Sequence, residues 1–175
     1  GRASAAPILD LFITLLSMGQ QGYRSLLNER ERLFEVLREQ LSSFAEQMGE
    51  RIMASPNNHI SLCMSLSRMD AEEDGNDGKE GGDAKDATDA KAKKIDPSFL
   101  GSMLFQRYVS GCRVVPQGNK VKKVAGHDFT GWGSHAVAYP ASYLTAAVAM
   151  GATEVDIQHF LERLQKCMEK ALKGK

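Results

Sequence analysis

The chain opens with the segment GRASAAPILDLFITLLS (residues 1–17), in which small residues lead directly into an apolar helix. Gly1 tolerates positive φ angles, so the motif from Gly1 to Ser4 can form a tight turn. Ser4 or Pro7 can then start the helix, because proline is favoured at the first helical position. Since the segment has neither an initiator methionine nor a polar lead-in, it predicts that the chain begins inside a domain.

The predicted first helix is apolar on more than one face, which indicates burial on several sides. Its apolar residues are Ile8, Leu9, Leu11, Phe12, Leu15 and Leu16. Arg2 lies in the turn before this helix and has two interpretations, a solvated surface charge or a clamp for an anion. A clamp would use the planar guanidinium, whose donors match a carboxylate or a phosphate.

The composition indicates one ordinary globular core. The 175 residues carry 22 basic and 22 acidic side chains, but residues 99–175 hold ten basic and five acidic ones, which weakly favours an anionic partner. Three dispersed cysteines, Cys63, Cys112 and Cys167, predict reduced thiols in a cytoplasmic compartment and no metal site. The longest apolar run is far shorter than the roughly 20 residues of a membrane span, so we expect no membrane partner.

The first half of the chain changes from helical to strand periodicity and then loses both. A break at Gly19–Gly22 precedes a long amphipathic helix that begins at Tyr23 and ends near Gly49. Residues 59–66 alternate between apolar and small or polar side chains, as a half-buried strand does. Residues 71–94 have no apolar side chain larger than alanine, and they carry eight acidic residues and five lysines. We therefore expect a disordered surface insert there.

The second half predicts short strands between helices. The elements are a helix from Asp96-Pro97 to before Gly111, a strand at 112–115, a turn at 117–119, a hairpin at 120–123 and 129–135, a helix at 141–150, and a last helix capped by Thr153 and Asp156. With the helices of the first half, this order predicts an α+β arrangement in which helices cover a small antiparallel sheet.

Two of these helices carry candidate functional residues. The helix after Asp96 should bury Phe99 and Leu104 and place Arg107 and Tyr108 on its last turn. The last helix places three lysines on one face, namely Lys166, Lys170 and Lys173.

A series of short motifs, in order along nearly the whole chain, carries a resemblance to one family. The motifs are Gly1 to Pro7, residues 15–19, Gly22-Tyr23, residues 101–105, Arg107, residues 109–111, residues 113–116, Ser134-His135, Tyr139-Pro140 and Tyr143-Leu144. Together they resemble the mid-to-late part of O-phosphoseryl-tRNA(Sec) selenium transferase, also called selenocysteine synthase or soluble liver antigen. The large departure lies between Asp70 and Phe99, where members of that family have a shorter connection.

The resemblance implies the C-terminal part of a pyridoxal-phosphate transferase. Its fold would be an α+β fragment of a fold-type-I enzyme. Residues 1–50 would form a helical segment that continues from the cofactor domain, and residues 51–175 would form a small α+β domain that contains the insert 71–94. The family converts O-phosphoseryl-tRNA(Sec) to selenocysteinyl-tRNA(Sec) with selenophosphate, as a cytoplasmic homotetramer.

The resemblance also implies that the Schiff-base lysine, which binds pyridoxal 5′-phosphate, lies upstream of Gly1. The first 78 residues of this chain contain no lysine, and none of the later ones has a suitable context. We therefore expect this chain to be inactive alone.

Three basic residues acquire roles from the resemblance. Arg2 matches the arginine that helps to bind the phosphoryl group of the phosphoserine, which leaves before selenium is added. Arg107 matches the arginine that reads the tRNA acceptor end near its discriminator base, and a structural cation at a helix end is the alternative. Lys173 aligns with a lysine that contacts tRNA, and a solvated helix face is the alternative. His135 has no identifiable partner and is interpreted as structural.

Two other classes of function stay open at the level of sequence. One is a pyridoxal-phosphate enzyme that acts on a small amino acid, and it would react with free amino acids. The other is a non-catalytic tRNA-binding or assembly module of the same fold, whose complete gene would lack the upstream lysine.

Overall fold

The first element is a long helix interrupted at one glycine. A computed structural model describes residues 3–70, 96–117, 121–130 and 139–173, without the side chain of Lys122. Helix α1 spans Ala6–Gln47 with Pro7 in its first turn. At Gly19 the backbone leaves helical geometry, with φ 64° and ψ 172°, so the predicted break is confirmed as a kink. The helix ends at Gln47 and Gly49 follows with φ 70°, also as predicted.

Some predictions fall on residues outside the described ranges. They concern Arg2, the insert 71–94, Gly118 and Asn119 of the turn, and residues 131–135 of the second hairpin strand, including His135. These remain predictions.

The two parts of α1 have different environments. Before the kink, seven large apolar side chains are between 42% and 71% exposed, namely Ile8, Leu9, Leu11, Phe12, Ile13, Leu15 and Leu16. The prediction that this segment is buried on several sides is therefore wrong within the described chain, whose other elements leave it uncovered. After the kink, Leu33, Leu37 and Leu41 are buried in the core. No helix within the described ranges is long and apolar enough to cross a membrane.

Short strands form an antiparallel sheet whose apolar face packs on the helices. The strands are β1 Ile52–Met53, β2 Ser61–Ser65, β3 Arg113–Val115, the hairpin strands β4 Val121–Val124 and β5 His127–Thr130, and β6 Tyr143–Ala147. The four-stranded sheet has the order β1-β2-β6-β3. In its register, Leu62 pairs with Ala146 and Met64 with Leu144, and all four side chains are buried. The strand predicted at 59–66 is confirmed, whereas β1 was not predicted.

The hairpin of β4 and β5 forms a separate two-stranded sheet. Its turn residues Ala125 and Gly126 both have positive φ, 51° and 84°, which is typical of a two-residue type I′ turn. All four β5 residues are exposed. The prediction of a hairpin is confirmed, but its second strand begins at His127, two residues before the predicted start at Phe129, and is described up to Thr130.

The helix predicted at residues 141–150 is wrong, because this segment contains strand β6. The alanines of this segment favour a helix in isolation, but residues 143–147 are the central strand of the sheet, paired with β2 on one side and β3 on the other. The burial of Leu144 and Ala146 alternates with more exposed neighbours, which is the period of a strand. Pairing with two strands distant in sequence outweighs the local helical preference.

Two further helices complete the layer on the sheet. Helix α2 spans Ser98–Phe105, and the Oδ1 of Asp96 accepts a hydrogen bond of 2.9 Å from the backbone N–H of Ser98, so the predicted start is confirmed to within a residue. Leu100 and Leu104 are buried, but Phe99 is 59% exposed, contrary to the prediction. Its ring lies outside the stripe that faces the core.

Helix α3 spans Glu154–Lys173 and begins with the predicted capping box. The Oδ2 of Asp156 accepts hydrogen bonds from the N–H and Oγ1 of Thr153, at 2.9 and 2.7 Å. These bonds, led by the one from the hydroxyl, hold the pKa of Asp156 below its ordinary value. Ile157, Leu164 and Met168 are buried among the residues of α1, α2 and the sheet.

Two acidic side chains fix the segment that leads into residue 70. The buried carboxylate of Glu50 accepts hydrogen bonds from Ser65 Oγ at 2.6 Å and from the backbone N–H groups of Ser67 and Arg68 at 2.9 and 2.8 Å. Asp70 accepts from both the backbone N–H and the hydroxyl of Ser142, at the start of β6. The chain is thus held in place where the described residues stop before the insert.

Candidate functional site at the contact of helices α2 and α3

The end of α2 is closed by a turn that contains a strained tyrosine. The N–H of Val109 bonds to the C=O of Leu104, and the N–H of Tyr108 to the C=O of Phe105, both at 3.0 Å. This is the Schellman pattern, which normally places glycine at the residue with positive φ. Here that residue is Tyr108, with φ 61° and a side chain that is 90% exposed. A left-handed conformation costs a non-glycine residue roughly 1–2 kcal/mol.

Arg107 lies just beyond α2, not on its last turn as predicted, because the helix ends at Phe105. Its half-buried guanidinium donates from Nη1 to the C=O of Met103 at 3.0 Å. It also lies beside the thiol of Cys167 on α3. Burial raises the pKa of that thiol, and the positive charge and hydrogen bond of Arg107 oppose the increase. If Arg107 contacts a tRNA base, it would use the N–H groups that these contacts leave free, since a guanidinium has five N–H donors.

Lys173 lies in the last turn of α3 and is exposed, as are Lys166 and Lys170. Lys170 is close enough to Cys167 to favour its thiolate electrostatically, as Arg107 does. Lys173 is about 9 Å farther along the helix axis than Cys167, at about 1.5 Å per residue. The fold therefore brings Arg107 and Lys170 to the same cysteine, where α2 meets α3, and Lys166 and Lys173 lie on the same helix as Lys170. Arg2 lies outside the described residues.

A cavity of about 580 Å³ lies beside the turn after α2. The segment from Tyr108 to Cys112 forms one wall, and α3 forms another with His159, Phe160 and Arg163. Arg163 Nη1 donates to the C=O of Tyr108 at 3.3 Å and so ties the turn to α3. The floor includes Leu37 and Ile157, which are buried core residues.

Sequence reasoning located Tyr108 near the end of α2 but assigned neither Tyr108, nor Arg163, nor this cavity to a site. No local pattern marks Tyr108 as the residue with positive φ, because the nearby Gly111 is the residue that would be expected to end the helix. Arg163 lies 55 positions from Tyr108 in the sequence, so only the tertiary structure shows their contact.

The described residues do not fit a pyridoxal-phosphate site. Binding of the cofactor through a Schiff base requires a lysine in an enclosed pocket. The lysines whose side chains the structure describes, Lys123, Lys166, Lys170 and Lys173, are all exposed. Across the same described ranges, no group of acidic, histidine or cysteine side chains is arranged to hold a metal ion.

Comparisons with known proteins match the chain to one family along nearly its whole length. A family model described as O-phosphoseryl-tRNA(Sec) selenium transferase, SepSecS, matches residues 1–169. A relative of that name from Dictyostelium discoideum is 45% identical over 172 residues, which cover 97% of this chain and 34% of the relative. Another from Caenorhabditis elegans is 30% identical over 164 residues, covering 94% of this chain and 29% of the relative. The chain thus spans about a third of the length of these curated relatives.

The fold matches a solved structure of the same name. The crystal structure of an archaeal O-phosphoseryl-tRNA(Sec) selenium transferase superposes with a TM-score of 0.66 at 22% identity, covering 95% of this chain and 30% of that one. This match shows the fold alone, and it confirms the expected α+β fragment with a small antiparallel sheet packed with helices. By the match over residues 1–169, the chain belongs to the O-phosphoseryl-tRNA(Sec) selenium transferase family.

Proposed function

We propose that this chain is part of an enzyme that converts O-phosphoseryl-tRNA(Sec) to selenocysteinyl-tRNA(Sec), with selenophosphate as the selenium donor. The enzyme would use pyridoxal 5′-phosphate and act as a cytoplasmic homotetramer. The observation that carries this proposal is the family match over residues 1–169. The archaeal structure supports it through the fold alone.

The uncovered first part of α1, before Gly19, supports separate roles for this chain and for the rest of the enzyme. Residues 1–50 would lead from the cofactor domain into the small domain 51–175, with the insert 71–94 on its surface. The apolar side chains before Gly19 would pack on that cofactor domain, which explains their exposure here. The part of α1 after the kink would anchor the small domain through the shared core.

The cofactor would be bound by the remainder of the enzyme, because the described lysines of this chain are exposed. When bound, pyridoxal phosphate supplies an electron sink at the amino acid that is attached to tRNA. On its own, this chain should therefore bind tRNA weakly and form no selenocysteine.

Arg2 would bind the phosphoryl group of the phosphoserine. A bidentate, charge-assisted contact would position this group and balance the charge that it carries away. Because active sites in such assemblies draw on more than one subunit, Arg2 could serve the cofactor of a neighbouring subunit. The role rests on the match of the motif from Gly1 to Ser4.

The test uses the full-length enzyme with phosphoseryl-tRNA(Sec) and selenophosphate. Arg2→Ala should lower selenocysteine formation by about 100-fold or more, the range for losing one preorganised contact to a developing charge. Arg24→Ala is the matched control, because Arg24 is an exposed arginine on α1. Undiminished product with Arg2→Ala would remove Arg2 from the active site.

The same assay separates the alternatives. Binding of tRNA without any product in the wild-type enzyme would favour a non-catalytic module. Reaction of free amino acids, with phosphoseryl-tRNA left unchanged, would favour a pyridoxal-phosphate enzyme for small amino acids.

Arg107 and Lys173 would contact the tRNA from the side where α2 meets α3. The exposed Lys173 should act through phosphate, so Lys173→Ala should weaken binding of tRNA regardless of base identity. The slope of log affinity against log salt should then fall by about one. An unchanged slope would remove Lys173 from the phosphate contacts.

A further inference from the structure

Two exposed aromatic rings lie at the end of α2, where the family resemblance assigns no role to them. Phe105 is 71% exposed and Tyr108 is 90% exposed, and they are three residues apart, one at the end of α2 and the other in the turn that follows it. Tyr108 follows the residue that we expect to contact tRNA, Arg107. Rings of this exposure contribute little to the core formed by the described residues.

The backbone holds Tyr108 in place at an energetic cost. Its φ of 61° is a conformation that glycine adopts without strain, so a glycine here would close the same turn more favourably. The turn is fixed on both sides, because Val109 bonds back to Leu104 and Arg163 bonds to the carbonyl of Tyr108. Strain of this kind persists where a rigid surrounding imposes it and is concentrated at binding sites.

Several cations lie near the rings. Arg163 reaches the turn from α3, and Lys166 lies three residues farther along that helix. Arg107 and Lys170 both act on Cys167, so they lie within the same region. The same stretch of α3 also carries three acids, Asp156, Glu162 and Glu169, so the cations exceed them by one. Exposed aromatic rings beside cations are the combination with which proteins bind unpaired nucleic-acid bases.

We propose that Tyr108 stacks on an unpaired base of the tRNA, with Phe105 beside it and the cations of α3 on the adjoining phosphates. The inference rests on the proposed function, since it supplies a contact to the same substrate. A paired stem presents base edges and phosphates, whereas a ring stacks on a base only where the base is unpaired. The unpaired 3′ end of the tRNA, which carries the amino acid, is therefore the expected ligand.

The test compares tRNA(Sec) with a version that lacks its unpaired 3′ nucleotides, using full-length enzyme and dissociation constants at several salt concentrations. Tyr108→Ala should weaken binding of intact tRNA by roughly 5- to 100-fold, the range for losing one stacked base. Tyr108→Phe keeps the ring and should stay within about twofold of wild type. Phe99→Ala removes an exposed ring at the opposite end of α2 and serves as the matched control.

A structural role is tested by Tyr108→Gly. This variant removes both the ring and the strain, so its melting temperature should equal or exceed that of wild type while its affinity for tRNA falls as in Tyr108→Ala. The salt dependence of binding should be unchanged in both variants, because a stacked ring neutralises no phosphate. Shortened tRNA should bind the wild type and Tyr108→Ala equally.

Three results would overturn the inference. The first is equal affinity of Tyr108→Ala and wild type for intact tRNA, and the second is that Tyr108→Ala weakens binding of shortened tRNA as much as binding of intact tRNA. The third is that Tyr108→Ala changes the oligomeric mass without changing the affinity for tRNA, which would make the rings part of a protein interface. If the wild-type enzyme failed to bind tRNA(Sec) at all, the proposed function would fail, and the stacking contact with it. If the wild type binds tRNA(Sec) and Tyr108→Ala does not change the affinity, only the stacking contact is refuted.

Discussion

At the scale of single residues, buried polar groups stabilise the turn after β2. Glu50 is 7% exposed, and among the described residues no arginine or lysine side chain donates a hydrogen bond to it. Its two oxygens instead accept three bonds, from the hydroxyl of Ser65 and from the backbone N–H groups of Ser67 and Arg68. A buried carboxylate is stable in such a place only when its acceptor capacity is used. Glu50 therefore joins the segment after α1 to the turn after β2.

We expect Glu50→Ala to destabilise this turn by about 1–3 kcal/mol, because the buried hydroxyl of Ser65 and the partly buried amides of Ser67 and Arg68 would lose their acceptor. Hydrogen exchange of the amides of Ser67 and Arg68 in the full-length enzyme measures this loss directly. Glu46→Ala, which removes an exposed carboxylate one turn earlier, should change the same amides by less than about 0.5 kcal/mol. Equal exchange in the two variants would contradict the role of Glu50.

The cysteine thiols provide a second prediction at this scale. Burial raises the pKa of Cys112 to about 11, from an ordinary value of 9.0. Because the thiolate is the reactive form, alkylation of folded Cys112 should be slow at pH 8 and should rise with pH until about 11. The stability that the protonated thiol contributes is complete below pH 9 and is lost as the pH rises through about 11. A rate that reached its plateau near pH 9 in folded protein, as expected in urea, would refute this.

At the scale of elements, the kink at Gly19 separates a helix that lacks cover from one that builds the core. The combination of φ 64° and ψ 172° is essentially restricted to glycine. Gly22, three residues later, is helical, and a Cβ there would meet Met18 at an ordinary 3.6 Å. The two glycines of the predicted break therefore have different roles.

We expect Gly19→Ala and Gly22→Ala to have opposite effects in the full-length enzyme. Alanine at residue 19 either strains the kink, at about 1–3 kcal/mol, or straightens the helix and moves its apolar segment. Alanine at residue 22 should be neutral or stabilising by up to about 1 kcal/mol, because glycine is a poor helix former. Thermal unfolding of both variants measures the contrast, and equal melting temperatures would argue against a required kink.

At the scale of the whole molecule, the chain combines a complete small core with an uncovered apolar helix. Residues of α1 after the kink, the sheet, α2 and α3 share one buried cluster. In the segment before the kink, Ile8 is 71% exposed and Leu16 is 65% exposed. A contiguous apolar surface of this kind is typical of a site that packs against a partner. We expect its partner in the remainder of the proposed enzyme, because this chain spans about a third of the length of its curated relatives.

We expect Phe12→Ser to have opposite consequences in the two forms of the protein. In the 175-residue chain Phe12 is 57% exposed, so the substitution should leave stability unchanged and reduce self-association. In the full-length enzyme it should destabilise the protein by about 2–4 kcal/mol, as loss of a large buried side chain does. Light scattering of the chain and thermal unfolding of the enzyme measure the two effects. Unchanged stability of the full-length enzyme would show that this face stays exposed there.

The sequence by itself determined the features that depend on neighbours along the chain. The kink at Gly19, the end of α1 before Gly49, strand β2 and the capping box of Thr153 and Asp156 were all readable, because turn residues, periodicity and caps act within a few residues. The order of the motifs also indicated the family. These features suffice for an α+β fold class with an antiparallel sheet.

Only the tertiary structure decided the features that depend on partners distant in sequence. Residues 143–147 became the central strand because β2 and β3 pair with them on both sides, although their alanines favour a helix. Tyr108 took its left-handed conformation in a turn that Arg163, 55 positions away, ties to α3. Such contacts contribute free energies of the same size as local preferences, but they cannot be predicted from residues that are neighbours in the sequence. For this reason the family could be inferred from the sequence, whereas the exposed ring beside Arg107 could not.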